Sequence, residues 1–186
     1  MGRFEEGLRE HELAEATDPL SLVGKTNLGD IFYDARRYDQ AIEQYRQVLE
    51  LDADFAIAQA GLGMAHAQQG TLPDALVHLR RATELDTDPE YAGLLGYVYA
   101  VAGDKARARR IIAQLVERSK KGYISPVGVA LVYLGMGEPS QSCEWLERGY
   151  EVRDSDFAYL RVDPQWDKLR PNPCFQSLMQ RMGASQ

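Results

Sequence analysis

Apolar residues along this chain fall at spacings of three and four. Leu28, Ile31 and Phe32 mark one stretch, and Ile42, Tyr45 and Leu49 mark the next. That period belongs to a helix with one face turned to a core. A longer period lies on top of it. Leu28-Gly29 recurs as Leu62-Gly63, as Leu95-Gly96 and, in weaker form, as Val129-Ala130, at spacings of 34, 33 and 34 residues. Three residues after each small position stands Phe32, His66, Tyr99 or Tyr133. A second small residue follows (Ala41, Ala75, Ala108, Ser142), and four further on a large apolar one (Tyr45, Leu79, Ile112, Leu146). Two small and two large positions in fixed register describe two antiparallel helices per unit. The small residues let the backbones approach, and the large ones fill the adjoining holes. Turn signals at Gln69-Gly70-Thr71-Leu72-Pro73, Gly103-Asp104 and Gly135-Met136-Gly137-Glu138-Pro139 separate paired helices. The pattern predicts an all-α chain with four helix pairs, over 22–55, 56–88, 89–122 and 123–155.

The ends differ from the middle. Residues 1–21 read as a lone helix, the second member of a pair without its first. Gly7 sits at the small position, Ala14 at the next inner one, and Asp18-Pro19 closes the segment. Such a helix either begins a chain cut in mid-repeat or caps an array, whose open ends need polar cover. After residue 155 the period stops. Residues 156–186 read as three short capping helices, broken at Asp163-Pro164 and at Pro171-Asn172-Pro173. Trp166, Leu169, Phe175, Leu178 and Met179 are their expected contacts with the last pair.

These landmarks resemble the tetratricopeptide repeat, whose period is about 34 residues and whose pattern runs W-x2-L-G-x2-Y, A-x3-F, P. Here the first unit reads Lys25-x2-Leu28-Gly29-x2-Phe32 and then Ala41-x3-Tyr45, with Arg37-Tyr38-Asp39-Gln40-Ala41-Ile42 at the turn into the second helix. The family Trp is replaced by Lys25, Gln59, Ala92 and Pro126. The family Pro is kept at Pro19, while Ala53 and Thr87 take its later places. The resemblance implies a right-handed α-solenoid whose first helices line a concave, partner-binding surface. The carboxy-terminal part, with Tyr123-Ile124-Ser125-Pro126 and Trp145-Leu146-Glu147, is similar to repeat regions of multidomain bacterial signalling proteins. In those, such repeats follow a kinase, a cyclase or a winged-helix domain. That implies a regulatory module in a bacterial signalling system.

Composition narrows the chemistry. A net charge of −7 disfavours general nucleic-acid binding, which needs a positive field. The most apolar run, Tyr91 to Gly103, is far short of a membrane span. Cys143 and Cys174 form no CxxC pair, so the expectation is two small buried hydrophobes in a reducing, cytoplasmic setting, without a disulfide framework. His11, His66 and His78 include no pair four apart, so no metal site is expected, and no cofactor. Gly24-Lys25-Thr26 imitates the end of a phosphate loop. The first loop glycine, however, falls at Pro19, and no strand precedes it. A nucleotide-binding enzyme is therefore the third and weakest reading, and the chain is read as non-catalytic. Against the acidic background stands one basic run, Lys105, Arg107, Arg109, Arg110, Arg118, Lys120 and Lys121, read as an outer helix face.

Counting from each Leu-Gly landmark gives the residues expected to face the groove. They are Asp30, Tyr33 and Asp34, then Ile57, Met64 and Gln68, then Tyr97 and Val101, and finally Leu131, with Thr26 in the same series. Repeat proteins that clamp acidic tails use Lys, Asn and Arg here. Thr26, Asp30, Gly61, Glu90 and Leu94 stand at those places, so no carboxylate clamp is expected. The leading expectation is a scaffold that binds a peptide or helix of a partner protein, apolar or basic-apolar. Self-association as a homodimer is the second reading.

Overall fold

Every helical hairpin closes in the same way. After each first helix one residue turns left-handed: Arg36 (φ 61°), Gly70 (83°), Gly103 (86°) and Gly137 (74°). The next amide then donates to the carbonyl five residues back: Arg37 to Phe32, Thr71 to His66, Asp104 to Tyr99 and Glu138 to Tyr133, at 2.8–3.0 Å. These bonds satisfy carbonyls that the helix end leaves open. The acceptors are the four residues that the sequence pattern marks after each first small position.

The computed structural model describes residues 2–18 and 20–184. Pro19, the expected closing proline of the first segment, lies outside them, as does the side chain of Ala14. The described residues form ten α-helices in two compact units, residues 1–86 and 87–186. The first unit holds α1 (Gly2–Thr17), α2 (Leu22–Asp34), α3 (Tyr38–Leu51), α4 (Ala56–Gln69) and α5 (Leu72–Leu85). The second holds α6 (Pro89–Val101), α7 (Lys105–Ser119), α8 (Pro126–Gly135), α9 (Pro139–Glu151) and α10 (Pro173–Ala184).

Helix starts follow local chemistry. The Ser21 hydroxyl accepts from the Gly24 amide at 3.1 Å, so Gly24-Lys25-Thr26 lies inside α2 rather than in a phosphate loop. Asp88 and Ser125 cap α6 and α8, each followed by a proline at the first helical position.

In the first unit Tyr45 of α3, 1% exposed, lies against both α2 and α4. A Cβ on Gly61 would fall 2.5 Å from its Cε1, and one on Gly29 closer still. The two glycines thus make the slot for one ring. The same logic recurs along the chain. A Cβ on Gly63 would strike Leu79 Cγ at 2.7 Å, and one on Gly96 would strike Val132 at 2.7 Å and Ile111 at 3.0 Å. In the second unit α6 meets α8 at Gly93 and Gly128, where an added Cβ on Gly93 would stand 3.1 Å from the Gly128 Cα. Ala41, Ala75, Ala108 and Ser142 are fully buried.

The carboxy-terminal segment departs from the three expected helices. Its first two elements are single 3-10 turns, Ser155–Ala158 and Pro164–Trp166, followed by α10. Asp154 and Asp163 each cap the amide two residues on, at 2.9 Å. Caps this frequent, with Pro164, leave no room for an α-helical ladder. Leu160, Trp166, Leu169, Phe175 and Leu178 are no more than 2% exposed, with Trp166 and Phe175 stacked at 6.4 Å.

Candidate partner-binding surfaces

On α2, one turn of helix separates Asp30 from Asp34. The Tyr45 hydroxyl donates to Asp30 Oδ1 at 2.6 Å. Surrounding protein pushes the Asp30 carboxyl above its ordinary range although the residue still reaches solvent, and the Tyr45 bond pulls it back. Asp34 is pushed up to about 6, first by burial, then by the charge of Asp30, against the opposing charge of Arg36. Half-buried Gln68 of α4 reaches the Tyr33 hydroxyl at 3.4 Å, and Ile57, at the start of α4, is 42% exposed. Asp30 and Asp34 on α2 and Ile57 and Gln68 on α4 therefore keep some solvent exposure in the first unit, and the Gln68 amide links the two helices through the Tyr33 hydroxyl.

Other expected groove residues face inward. Tyr33, Met64, Tyr97 and Leu131 are 7%, 4%, 6% and 4% exposed. Thr26 is 1% exposed and donates to the Leu22 carbonyl at 2.8 Å, so it belongs to the core rather than to the groove. In the second unit Gly93 and Gly128 let α6 and α8 approach closely, and in the first Tyr33 lies against Tyr38 and Gln68. In the second unit Val101 remains partly exposed at the end of α6. The apolar aromatic lining expected from the sequence is thus mostly core.

Two features escape a reading by local spacing. His66 and His78 stack with ring centroids 5.8 Å apart and planes within 5°. The Thr71 hydroxyl donates to the His66 carbonyl, so it accepts from His66 Nδ1 at 2.8 Å. Gln59 donates its amide to Ala53 and accepts from His78 Nδ1 at 2.8 Å. Both rings therefore carry their proton on Nδ1. Burial lowers both pKa values; for His78 the neighbouring His66 adds to it, while Asp74 opposes it in both. His78 is half-buried. Among the described residues no group of three or more metal-ligating side chains comes together.

The second feature corrects the expectation for the cysteines. Cys143 of α9 and Cys174 of α10 form a disulfide, with Cα atoms 6.3 Å apart, rather than packing as separate thiols. A sequence separation of 31 residues hides the pairing from any local motif. With the pair bonded, cysteine usage no longer argues for a reducing compartment. Arg181 of α10 reinforces the same junction by pairing with Glu147 and lying 4.7 Å over the Tyr150 ring.

The basic run on α7 is exposed as expected, but several of its charges are engaged. Arg107 pairs with Asp104 at 2.8 Å, Arg109 with Glu138 at 3.3 Å and Lys120 with Glu117 at 2.6 Å. Arg118 donates to the Thr87 carbonyl at 3.0 Å.

Antiparallel helical hairpins in repeated register, with left-handed closures and small-residue seams, define an all-α helical-repeat protein of the solenoid class. Residues 26–92 match the family model of the tetratricopeptide repeat. The chain is similar to the crystal structure of TTC0263, a thermophilic TPR protein from Thermus thermophilus. They share 20% identity and a TM-score of 0.67, over 87% of this chain and 88% of that one. It is also similar to the crystal structure of MamA, at 23% identity and a TM-score of 0.55, over 85% and 93%. Those likenesses carry the fold. No curated protein matches the sequence. Proteins of this repeat type commonly serve as non-catalytic scaffolds for other proteins, and one scaffold hosts many partners. No helix among the described residues is long and apolar enough to cross a membrane.

Proposed function

We propose that the chain is a non-catalytic scaffold whose first unit takes a basic, partly apolar peptide or helix on the α2–α4 face. The observation that carries the reading is the crowded carboxyl pair. Asp34 stands one helical turn from Asp30, and burial together with the Asp30 charge holds it at about 6 despite the charge of Arg36. A lysine or arginine from a partner would relieve that repulsion and gain charge-assisted hydrogen bonds. Ile57, exposed at the start of α4, offers an apolar contact on the helix whose far end carries Gln68, a polar one. Selection of displayed random peptides on the intact chain tests this. Lysine or arginine next to an apolar residue should dominate the binders, and Asp30→Lys/Asp34→Lys should lose them. Acidic binders, or binders indifferent to the variant, overturn it. Met64 and Tyr97 are poor probes, because substitutions there disturb the core.

A regulatory place in a bacterial signalling system is part of the same proposal. Its support is the likeness of the carboxy-terminal sequence to repeat regions attached to kinase, cyclase or winged-helix domains.

A further inference from the structure

Two helices carry opposite charge that the molecule leaves unmatched. The outer face of α1 presents Glu5, Glu6, Glu10 and Glu12, all exposed, with Arg9 as the single exposed cation among its described side chains. None of the four glutamates has an ion-pair or hydrogen-bond partner among the described residues. Leu13, 72% exposed, stands among them. On α7, Lys105 and Arg110, with Lys121 just past its end, likewise have no ionic partner among the described residues. Glu117 is the one acidic residue of that helix and is taken by Lys120. Ala106 and Ala113 are exposed on the same helix, seven residues apart and flanking Arg109 and Arg110. This leaves a shallow strip on which a leucine can lie between cations.

We infer that these two surfaces fit each other across copies: the acidic α1 of one molecule docks on the basic α7 of the next. The commitment to a second copy rests on charge complementarity. An acidic chain of net charge −7 repels its own copies at long range, so a local match of this kind is what brings them together in register. The contact is heterologous, because it joins different patches, and it therefore builds assemblies that grow with concentration unless the geometry closes them. It does not depend on the peptide face proposed for α2 and α4.

Sedimentation velocity of the intact chain over a range of concentrations tests the inference. Mass should rise with concentration, and the rise should weaken as salt goes from about 0.1 M to about 1 M, where the screening length falls from about 10 Å to about 3 Å. Glu5→Lys/Glu6→Lys/Glu10→Lys and, separately, Lys105→Glu/Arg110→Glu/Lys121→Glu should each weaken self-association about tenfold or more. All six positions are exposed, and circular dichroism checks that both variants remain helical. Mixing the two variants should restore assembly, since each reversed face then meets its complement. A strict monomer at every concentration overturns the inference, as does a mixture that stays monomeric while both variants are folded. Retention of the wild-type monomer on heparin, lost in the α7 variant, would assign that face to a polyanion instead.

Discussion

At the scale of single residues, the account turns on groups whose environment opposes their charge. Asp34 is raised from an ordinary carboxylate value to about 6. Its contribution to stability is therefore fully present below about pH 4 and is lost as pH rises through about 6. Asp34→Asn should stabilise the fold above pH 6 by on the order of 1 kcal/mol, discounted for the solvent-facing edge of the carboxyl, and should change little at pH 4. The His66–His78 pair runs the other way. Both folded values lie below the ordinary histidine range, so their contribution is present above about pH 6.5 and is lost as pH falls through the lowered values. Chemical denaturation from pH 4 to pH 8 separates the two. A His66→Asn/His78→Gln variant should lose the acid-side decline, and Asp34→Asn the opposing one. Arg36 is a different case. It occupies the left-handed closure that Gly70, Gly103 and Gly137 fill elsewhere. Arg36→Gly should raise stability by about 1 kcal/mol in thermal unfolding, even though its bond to the Asp34 carbonyl is lost.

At the scale of elements, the hairpins were legible because their chemistry is local and repeated. Leu-Gly, the aromatic three residues on and the later small–large pair each have one steric job, and each repeats at nearly constant spacing. Gly29 against Tyr45 and Gly63 against Leu79 realise the seam that spacing alone predicts. In the third pair Ile111 takes the contact with Gly96, one residue from the expected Ile112. What was not legible depends on distance in sequence. The aromatic groove positions became core because neighbouring first helices pack closely, and an unaided period does not report how closely. The disulfide joins residues that share no motif. Its removal is informative: Cys143→Ser opens the loop closed across a separation of 31 residues, and should cost the second unit about 2–4 kcal/mol under oxidising conditions. Under reductant the variant and the wild type should unfold together. Equal stability of the two in oxidising buffer would mean that the pair is not bonded in solution.

At the scale of the whole molecule, charge is distributed rather than uniform. An acidic total conceals a crowded carboxyl pair on α2, an acidic α1 and a basic α7. Composition alone disfavours a general nucleic-acid binder and leaves these patches unplaced. The structure gives each a face, and the proposals assign the first to a partner and the other two to a second copy. These assignments are separable, because variants of α7 leave α2 untouched. The direct test of the central claim is isothermal titration of a selected lysine-rich, partly apolar peptide into three forms of the intact chain: wild type, Asp30→Asn/Asp34→Asn and Lys105→Glu/Arg110→Glu. The account predicts that the carboxamide pair weakens binding about tenfold or more and the α7 pair leaves it unchanged. Undiminished binding to Asp30→Asn/Asp34→Asn would contradict it.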